Sequence, residues 1–210
     1  MSRHNPEISP AAWRLARLGL VIITSMVIGA ALLIADQGQA NHATLNFDHL
    51  DENWIIRSGR RETDRLVLSP AAGSIGLALH PIDSATFTLQ ARITFDSPQA
   101  AAGLIVQAED TDHFTAFLIS GDGYFCVSHY RNGVWIDRVA WRTWPHIQRD
   151  GAPNVLRAEC RAETCTFFVN DEWTGQELAL PIAHSIGLVA TAQAAQEALT
   201  VRFDQIGWRP

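Results

Sequence analysis

A glycine-rich turn between two apolar runs is the feature that most restricts the fold of this chain. The apolar runs are 114–119 and 124–130, and Ser120-Gly121-Asp122-Gly123 separates them. The Asp-Gly pair supplies the positive φ that a tight hairpin turn needs, so this stretch predicts a β-hairpin. A second turn signal, Asn132-Gly133, leads into Val134–Trp141. The pattern therefore predicts a meander of three antiparallel strands.

The stretch Thr86–Phe95 alternates strictly between polar and apolar residues. A period of two is that of a strand with one buried and one solvated face, and it excludes an amphipathic helix. Similar short runs, divided by turn signals, continue to the C terminus, giving about eleven to thirteen predicted strands. Two packed antiparallel sheets bury such strands best, so residues 43–210 are predicted to form one all-β sandwich domain.

An uncharged apolar run, Leu18–Ala35, precedes this domain. As a helix, roughly 18 residues reach about 27 Å, close to the hydrocarbon thickness of a bilayer. Three arginines precede the run and Asp36 follows it. Because positive charge tends to stay in the cytoplasm, we expect the N terminus inside and the domain outside. The expected order is a cytoplasmic segment 1–17, a transmembrane signal-anchor helix 18–35 and a spacer 36–42.

A cleaved signal peptide is the alternative to an uncleaved anchor, since Gly38 and Ala40 are small residues placed for cleavage before Asn41. The apolar core of a cleaved signal is typically about 7–15 residues long, and Leu18–Ala35 is longer. We therefore favour the anchor. Both alternatives place the β domain at an extracytoplasmic location.

The charge pattern argues against a nucleic-acid partner. The formal net charge is −6, and the densest basic group lies within 57–65, where Glu62 and Asp64 are interleaved with four arginines. Binding to a phosphate backbone needs clustered, unpaired positive charge. A solvated, charge-paired surface is the expected structure of this stretch.

Two of the three cysteines are placed for a disulfide. In the hairpin formed by 155–161 and 165–170, alternation points Cys160 and Cys165 to the same side at opposed positions. An extracytoplasmic location permits a bridge between them, and two buried thiols are the alternative. Cys126 is interpreted as a small core residue of a strand.

Five segments follow one another in the order NFDHLDENW, GLIVQAEDTDHFTAFLISGDGYFCV, NVLRAECRAETCTFFVNDEW, SIGLVA and LTVRFDQIGW. Over nearly all of 44–208 this succession resembles the concanavalin A-like, laminin-G-like jelly-roll superfamily, and in particular its bacterial extracytoplasmic members. The resemblance implies a two-sheet jelly roll with one concave face, used by members for carbohydrate binding, glycoside hydrolysis or protein contacts. Asp171 stands where members usually have glycine after Asn170, which alters only a turn.

The predicted loop 109–112 is rich in acidic residues, which are the side chains used both for glycoside hydrolysis and for calcium binding. The glycosidases of this superfamily resemble one another in a Glu-Xaa-Asp-Xaa-Glu strand, and this chain has no such motif, so catalytic residues are not assigned. The nearest acidic run, Glu109-Asp110-Thr111-Asp112, is interpreted as a solvated loop. Calcium is a hard cation that takes carboxylate oxygens, so Asp110 and Asp112, assisted by Asp122, are weak calcium candidates. No zinc-type spacing of His and Cys occurs.

Aromatic residues give the strongest indication of a ligand. Tyr130, Trp135, Trp141 and Trp144 are concentrated near the third strand of the meander. Sugar rings pack their apolar C–H faces on aromatic rings, although tryptophan in a sandwich commonly fills the core. In one regular strand, Trp144 has the opposite parity to Trp135 and Trp141, so the three do not share a face.

These patterns predict a membrane-anchored extracytoplasmic module that binds a carbohydrate or a cell-envelope glycan. A structural subunit that docks on another envelope or membrane-complex protein is the alternative. A divergent glycoside hydrolase using Glu109, Asp110 or Asp112 is the least favoured, because the superfamily's catalytic motif is missing.

Overall fold

The computed structural model describes residues 53–192 and 199–210. In this part of the chain the regular elements are fourteen β-strands, without a helix. They lie within one compact unit, Leu45–Pro210. The predicted helix Leu18–Ala35 lies outside the described residues. Within them, no helix is long and apolar enough to cross a membrane.

The strands, in chain order, are β1 (Ile55–Arg57), β2 (Gly59–Arg61), β3 (Arg65–Leu68), β4 (Ile75–Pro81), β5 (Thr86–Phe95), β6 (Ala100–Ala108), β7 (His113–Ser120), β8 (Tyr124–Arg131), β9 (Val134–Thr143), β10 (Asn154–Arg161), β11 (Thr164–Val169), β12 (Glu172–Ala179), β13 (Ser185–Ala192) and β14 (Val201–Arg209).

Two antiparallel sheets of seven strands each confirm the predicted all-β sandwich. Sheet 1 has the order β1-β4-β13-β6-β7-β8-β9, and sheet 2 has the order β12-β11-β10-β5-β14-β3-β2. The predicted meander is β7-β8-β9, which ends at the edge of sheet 1. The predicted alternation is that of β5, whose odd-numbered side chains are buried and whose even-numbered ones are partly or fully exposed.

The main core lies between the sheets and is built from residues of both. Phe117 of sheet 1 packs on Phe167 of sheet 2 with ring centroids 4.9 Å apart, and both side chains are fully buried. Burying each such side chain stabilises the fold by about 1.5–3 kcal/mol. This apolar contact between the sheets is what holds the two layers together.

Strands β2 and β12 are not predicted by the apolar pattern. They are the two edges of sheet 2, and most of their side chains are exposed. An edge strand is held on one side by backbone hydrogen bonds, so it needs little apolar sequence. The predicted charge-paired stretch includes β2: Arg60 contacts Glu62 at 3.0 Å, and Arg65 contacts Asp64 at 3.2 Å.

Cys160 and Cys165 are direct register partners in the β10-β11 hairpin, and a disulfide joins them. Both residues are buried in the main core. The bridge therefore fastens one end of a central hairpin of sheet 2 and has no direct part in a surface site.

Candidate functional site

A second apolar cluster lies on the outer face of sheet 1, away from sheet 2. Along β7, Phe117 and Ile119 point into the main core, whereas Phe114, Ala116 and Leu118 point outward. We call the outward group the outer-face cluster. Its buried members are Leu77, Leu79, Ile105, Ala108, Phe114, Ala116, Leu118, Cys126 and Val189. Apolar side chains therefore cover both faces of this sheet.

Three aromatic rings close one end of the outer-face cluster. Phe114, Tyr130 and Trp135 are register partners across β7, β8 and β9. Phe114 is buried and stacks on Tyr130 with centroids 4.9 Å apart, and Trp135 meets the Phe114 ring edge-on at 5.7 Å. Trp135 and Tyr130 lie 4.9 Å apart and both remain half-buried. The buried ring thus supports two rings that reach the surface.

Two β-bulges in β9 determine which of its side chains face outward. Ser128 pairs with Asp137 but Val127 pairs with Val139, so Arg138 is an extra residue; a second extra residue lies between Val139 and Arg142. Each extra residue exchanges the inward-facing and outward-facing positions of the strand beyond it, which is a common effect of β-bulges. Val139 therefore enters the main core, whereas Trp135 and Trp141 both pack on the outer-face cluster.

Asp137 lies on the same outward row as the two tryptophans. The buried Ser128 hydroxyl donates a short hydrogen bond to Asp137 Oδ1, and Cys126 Sγ lies 3.4 Å from Ser128 Oγ. Because a carboxylate only accepts, the Ser128 proton is used, and the thiol of Cys126 donates to Ser128. Burial raises the pKa of Cys126 to about 12, so this thiol keeps its proton. The chain of donors fixes the Asp137 carboxylate.

Together, Tyr130, Trp135, Asp137 and Trp141 form what we call the aromatic row. Trp141 lies opposite Cys126. Val139 and Arg142, which flank the Ala140-Trp141 pair, are the partners of Val127 and Phe125 on either side of Cys126. Four residues of β8 separate positions 126 and 130, so the two tryptophans are roughly 13 Å apart, with Asp137 about midway. This is a half-exposed, elongated surface with flat rings at both ends and one acid between them.

On the opposite side of β8, a polar chain holds the extra residue of the first bulge. Arg138 donates to His129 Nε2 at 3.1 Å, His129 Nδ1 lies 2.6 Å from Thr115 Oγ1, and Thr115 donates to Gln107 at 3.1 Å. A guanidinium only donates, so Nε2 is unprotonated and His129 is neutral with its proton on Nδ1. Burial, together with Arg138 and Arg131, lowers the pKa of His129, in agreement with this neutral form.

The structure brings together three of the four predicted aromatic residues and separates the fourth. Tyr130, Trp135 and Trp141 lie in the aromatic row, whereas Trp144 packs on the main core, edge-on to Phe125 at 5.8 Å. The buried Nε1 of Trp144 has no hydrogen-bond partner among the described residues. The parity argument thus separates Trp144 correctly, and it contributes packing on the inner side.

The three candidate calcium residues are not grouped around one site, because Asp110 and Asp112 share a loop and Asp122 is remote from it. Asp112 N–H donates to Asp110 Oδ1 at 2.7 Å, and His113 Nδ1 lies 2.9 Å from Asp110 Oδ2. The hydrogen bond to His113 is the main reason why the pKa of Asp110 is lowered. Asp122 lies in the turn at the other end of β7, roughly 25 Å away along the strand. Within residues 53–192 and 199–210, no three His, Cys, Asp or Glu side chains are grouped to hold a metal ion.

Sequence reasoning missed Asp137, Ser128 and Phe114 as parts of this site. Simple alternation predicts that Asp137 shares a face with Trp135, so that signal was present. The two bulges cancel for Trp141, so its shared face with Trp135 also follows from simple alternation, whereas the turn of Val139 into the main core leaves no mark in the sequence. Trp173 of sheet 2 was also overlooked; it is 53% exposed and pairs with Phe168 on the opposite side of the sandwich.

Comparisons with known proteins identify the fold but no family. No protein-family model matches the chain, and neither does any curated protein. The carbohydrate-binding module CBM66 of Bacillus subtilis is similar in structure, with a TM-score of 0.60, 13% identity, and coverage of 75% of this chain and 96% of that one.

Two longer proteins contain a similar domain. The GH43 protein BlXynB of Bacillus licheniformis matches with a TM-score of 0.57 and 12% identity, over 79% of this chain and 38% of that one. The xylan beta-1,4-xylosidase of Bacillus halodurans matches with a TM-score of 0.55 and 12% identity, over 80% and 38%. At these identities the likeness shows a shared sandwich fold.

Proposed function

We propose that this protein is a membrane-anchored, extracytoplasmic module that binds a carbohydrate or cell-envelope glycan through the aromatic row. The single observation that carries the proposal is that Tyr130, Trp135 and Trp141 share one half-exposed surface on sheet 1. Flat rings at this spacing suit a chain of sugar units, because the C–H faces of sugars pack on aromatic rings.

Two further features support a binding role for this surface. Packing on Phe114 holds the rings of Tyr130 and Trp135 in place before a ligand arrives, which lowers the entropic cost of binding. A module that binds carbohydrate in Bacillus subtilis has the same fold. The extracytoplasmic location is part of the proposal: it rests on the apolar run Leu18–Ala35 and agrees with the Cys160–Cys165 disulfide, which needs an oxidising compartment.

The test is thermal unfolding of the full-length chain against a panel of polysaccharides. The chain is kept in a polyoxyethylene detergent, because alkyl-glycoside detergents would occupy a sugar site. A ligand that binds only the folded protein raises the melting temperature in a dose-dependent way. We expect a rise with one class of glycan and no change with the others.

Matched tryptophan variants locate the site. Trp135→Ala is expected to weaken glycan binding about tenfold or more, the usual effect of losing an aromatic anchor. Trp173→Ala removes an exposed tryptophan from sheet 2 and is expected to leave affinity unchanged. A panel without any response, or equal losses in the two variants, would contradict glycan binding by the aromatic row.

Docking on another envelope protein is the second candidate, and the edge strands of sheet 1 favour it. Ile55 of β1 is 59% exposed, and Val134 and Ile136 of the other edge, β9, are 59% and 49% exposed. Exposed apolar residues on a sheet edge are suited to pairing with another chain. Ile136→Lys is expected to abolish such an interaction in the native membrane, whereas Ile182→Lys, at an exposed loop position, is the control.

The hydrolase alternative is weakened by the acid content of the surface. Glycosidases generally need two carboxyl groups flanking the bond that is cut. Of the described outward residues on β8 and β9, Asp137 is the one carboxylate. Asp112, in the loop before β7, is near enough to Tyr130 for its charge to raise the pKa of that side chain, after the larger effect of burial. If hydrolysis is nevertheless detected, unchanged activity in Asp110→Asn and Asp112→Asn would remove these two residues from consideration.

A further inference from the structure

We infer that the ligand of the aromatic row carries a protonated amine, which Asp137 recognises, so that amine-bearing glycans are preferred over N-acetylated or acidic ones. This inference rests on the proposed function and concerns the same site. It follows from the position of the acid, from the donor that holds it and from the direction of the neighbouring basic side chains.

Asp137 is held in one orientation yet remains exposed. Its Oδ1 accepts from Ser128, which is buried, and the residue itself faces solvent. The hydroxyl of Ser128 supplies one hydrogen bond and no positive charge. A bound ammonium group would supply both the second hydrogen bond and the opposite charge.

Aromatic rings flank the acid at a distance that suits a cation. Tyr130 and Trp135 lie one step along the sheet from the Ser128–Asp137 pair, and two residues of a strand span roughly 7 Å. A cation attracted to an aromatic face lies within about 6 Å of the ring centre. An ammonium group paired with Asp137 is therefore within reach of these rings, while a sugar ring packs on the tryptophan.

The arginines of β9 are directed away from Asp137. Arg138 donates to His129, on the other face of β8, and the Arg142 guanidinium lies 5.8 Å from the centre of the Phe125 ring, which belongs to the main core. Acids of sheet 2 and its adjoining loops, in contrast, have protein partners: Asp96 contacts Arg202 at 2.6 Å, and Asp204 contacts Arg92 at 3.7 Å. An amine-bearing ligand would give Asp137 the positively charged partner that those acids have within the protein.

The ligands for the test are three sugars of equal length: a glucosamine trimer, its fully N-acetylated form and a uronic acid trimer. Affinity is measured by titration with the full-length chain at mildly acidic pH, where the amines are charged. We expect the glucosamine trimer to bind about fivefold more tightly than the N-acetylated trimer, the upper end of the effect of one exposed charge pair. The uronic acid trimer should bind most weakly.

Asp137→Asn keeps the shape and removes the charge, so it should abolish the preference for the amine while binding of the N-acetylated trimer persists. Glu172→Gln makes the same change of charge at an exposed position on sheet 2 and should retain the preference. Equal affinity for the two trimers, or a preference that survives in Asp137→Asn, overturns the amine inference and leaves glycan binding intact. If none of the three trimers binds, the amine inference fails; if they bind and Trp135→Ala leaves every affinity unchanged, the aromatic row is not the site and both proposals fail. Thermal unfolding of each variant verifies that it folds.

Discussion

On sheet 2, charged outward side chains form pairs: Arg157 contacts Glu159 and covers the ring of Phe168 at 4.0 Å, and Arg202 pairs with Asp96. On sheet 1, the central outward side chains of β4, β6, β7 and β13 form the buried, apolar outer-face cluster, whereas most side chains of β9 are exposed. The same sandwich thus carries a solvated face on one side and an apolar face bordered by the aromatic row on the other.

The apolar outer face of sheet 1 is not required by the sandwich fold itself. A two-sheet sandwich requires one buried face per strand, which is the pattern of β5 and β10 in sheet 2. Every residue of β6 is buried, and so are seven of the eight residues of β7. The second apolar face does not serve contact between the sheets, so we connect it with function.

The largest expected effect comes from the glycine at the centre of sheet 1. A Cβ added at Gly103 would overlap the carbonyl group of Phe117 on β7, whereas one added at Gly175 on sheet 2 would meet nothing within 4 Å. We expect Gly103→Ala to lower the free energy of unfolding by about 3 kcal/mol or more, because backbone atoms have to move. Urea unfolding followed by tryptophan fluorescence measures this.

Gly175→Ala is the control for the change of residue itself. Gly175 has φ of 73°, so alanine there is strained and is expected to cost about 1–2 kcal/mol. Equal losses in the two variants would mean that the close approach of β6 and β7 is not what requires glycine at position 103.

The next effect concerns the disulfide of sheet 2. Cys160 and Cys165 are five residues apart, and closing so short a loop stabilises the fold by about 2 kcal/mol. The double variant Cys160→Ala, Cys165→Ala should therefore unfold at lower urea concentration. If the two faces are independent, glycan affinity at the aromatic row stays the same; a parallel loss of affinity would show that the sheets are coupled.

The fold could be predicted because its signals are local. The Asp122-Gly123 turn, the alternation of β5 and the paired positions of Cys160 and Cys165 each depend on neighbours in the sequence. The edges of sheet 2 escaped prediction because β2 and β12 bury few side chains, and backbone pairing leaves no pattern in residue type.

The site was only partly predictable, because it depends on how β9 pairs with β8. The tryptophans are visible in the sequence, and their equal parity places Trp135 and Trp141 on one face, since the effects of the two bulges cancel. The inward turn of Val139 between them follows only from the pairing of β9 with β8. The role of Ser128 depends on the same register, which brings it opposite Asp137. Which residues of β8 and β9 are opposite one another can be read only from the assembled sheet.

The smallest expected effect is on the dependence of stability on pH, and it differs between the two sheets. Burial lowers the pKa of His129 of sheet 1 below 6.5, with Arg138 and Arg131 acting in the same direction. The unfolded chain therefore binds a proton at His129 more readily than the folded protein does, so stability falls as the pH is lowered below 6.5.

In sheet 2, burial instead raises the pKa of Asp204 above 3.8, against the attraction of Arg92 and Arg65. Its contribution to stability is present below 3.8 and is lost as the pH rises through the folded pKa.

His129→Gln should flatten the dependence of the melting temperature on pH around 6.5, whereas Asp204→Asn should change it only in the acid range. Both effects are small, because each side chain is half-buried and solvent screens its charge. Gln keeps a hydrogen-bonding side chain beside Arg138, so the bulge that precedes Val139 is retained and glycan affinity should remain. A pH slope that is unchanged by His129→Gln would mean that His129 binds its proton equally well in the folded and the unfolded chain, which would contradict a pKa lowered by burial beside Arg138 and Arg131.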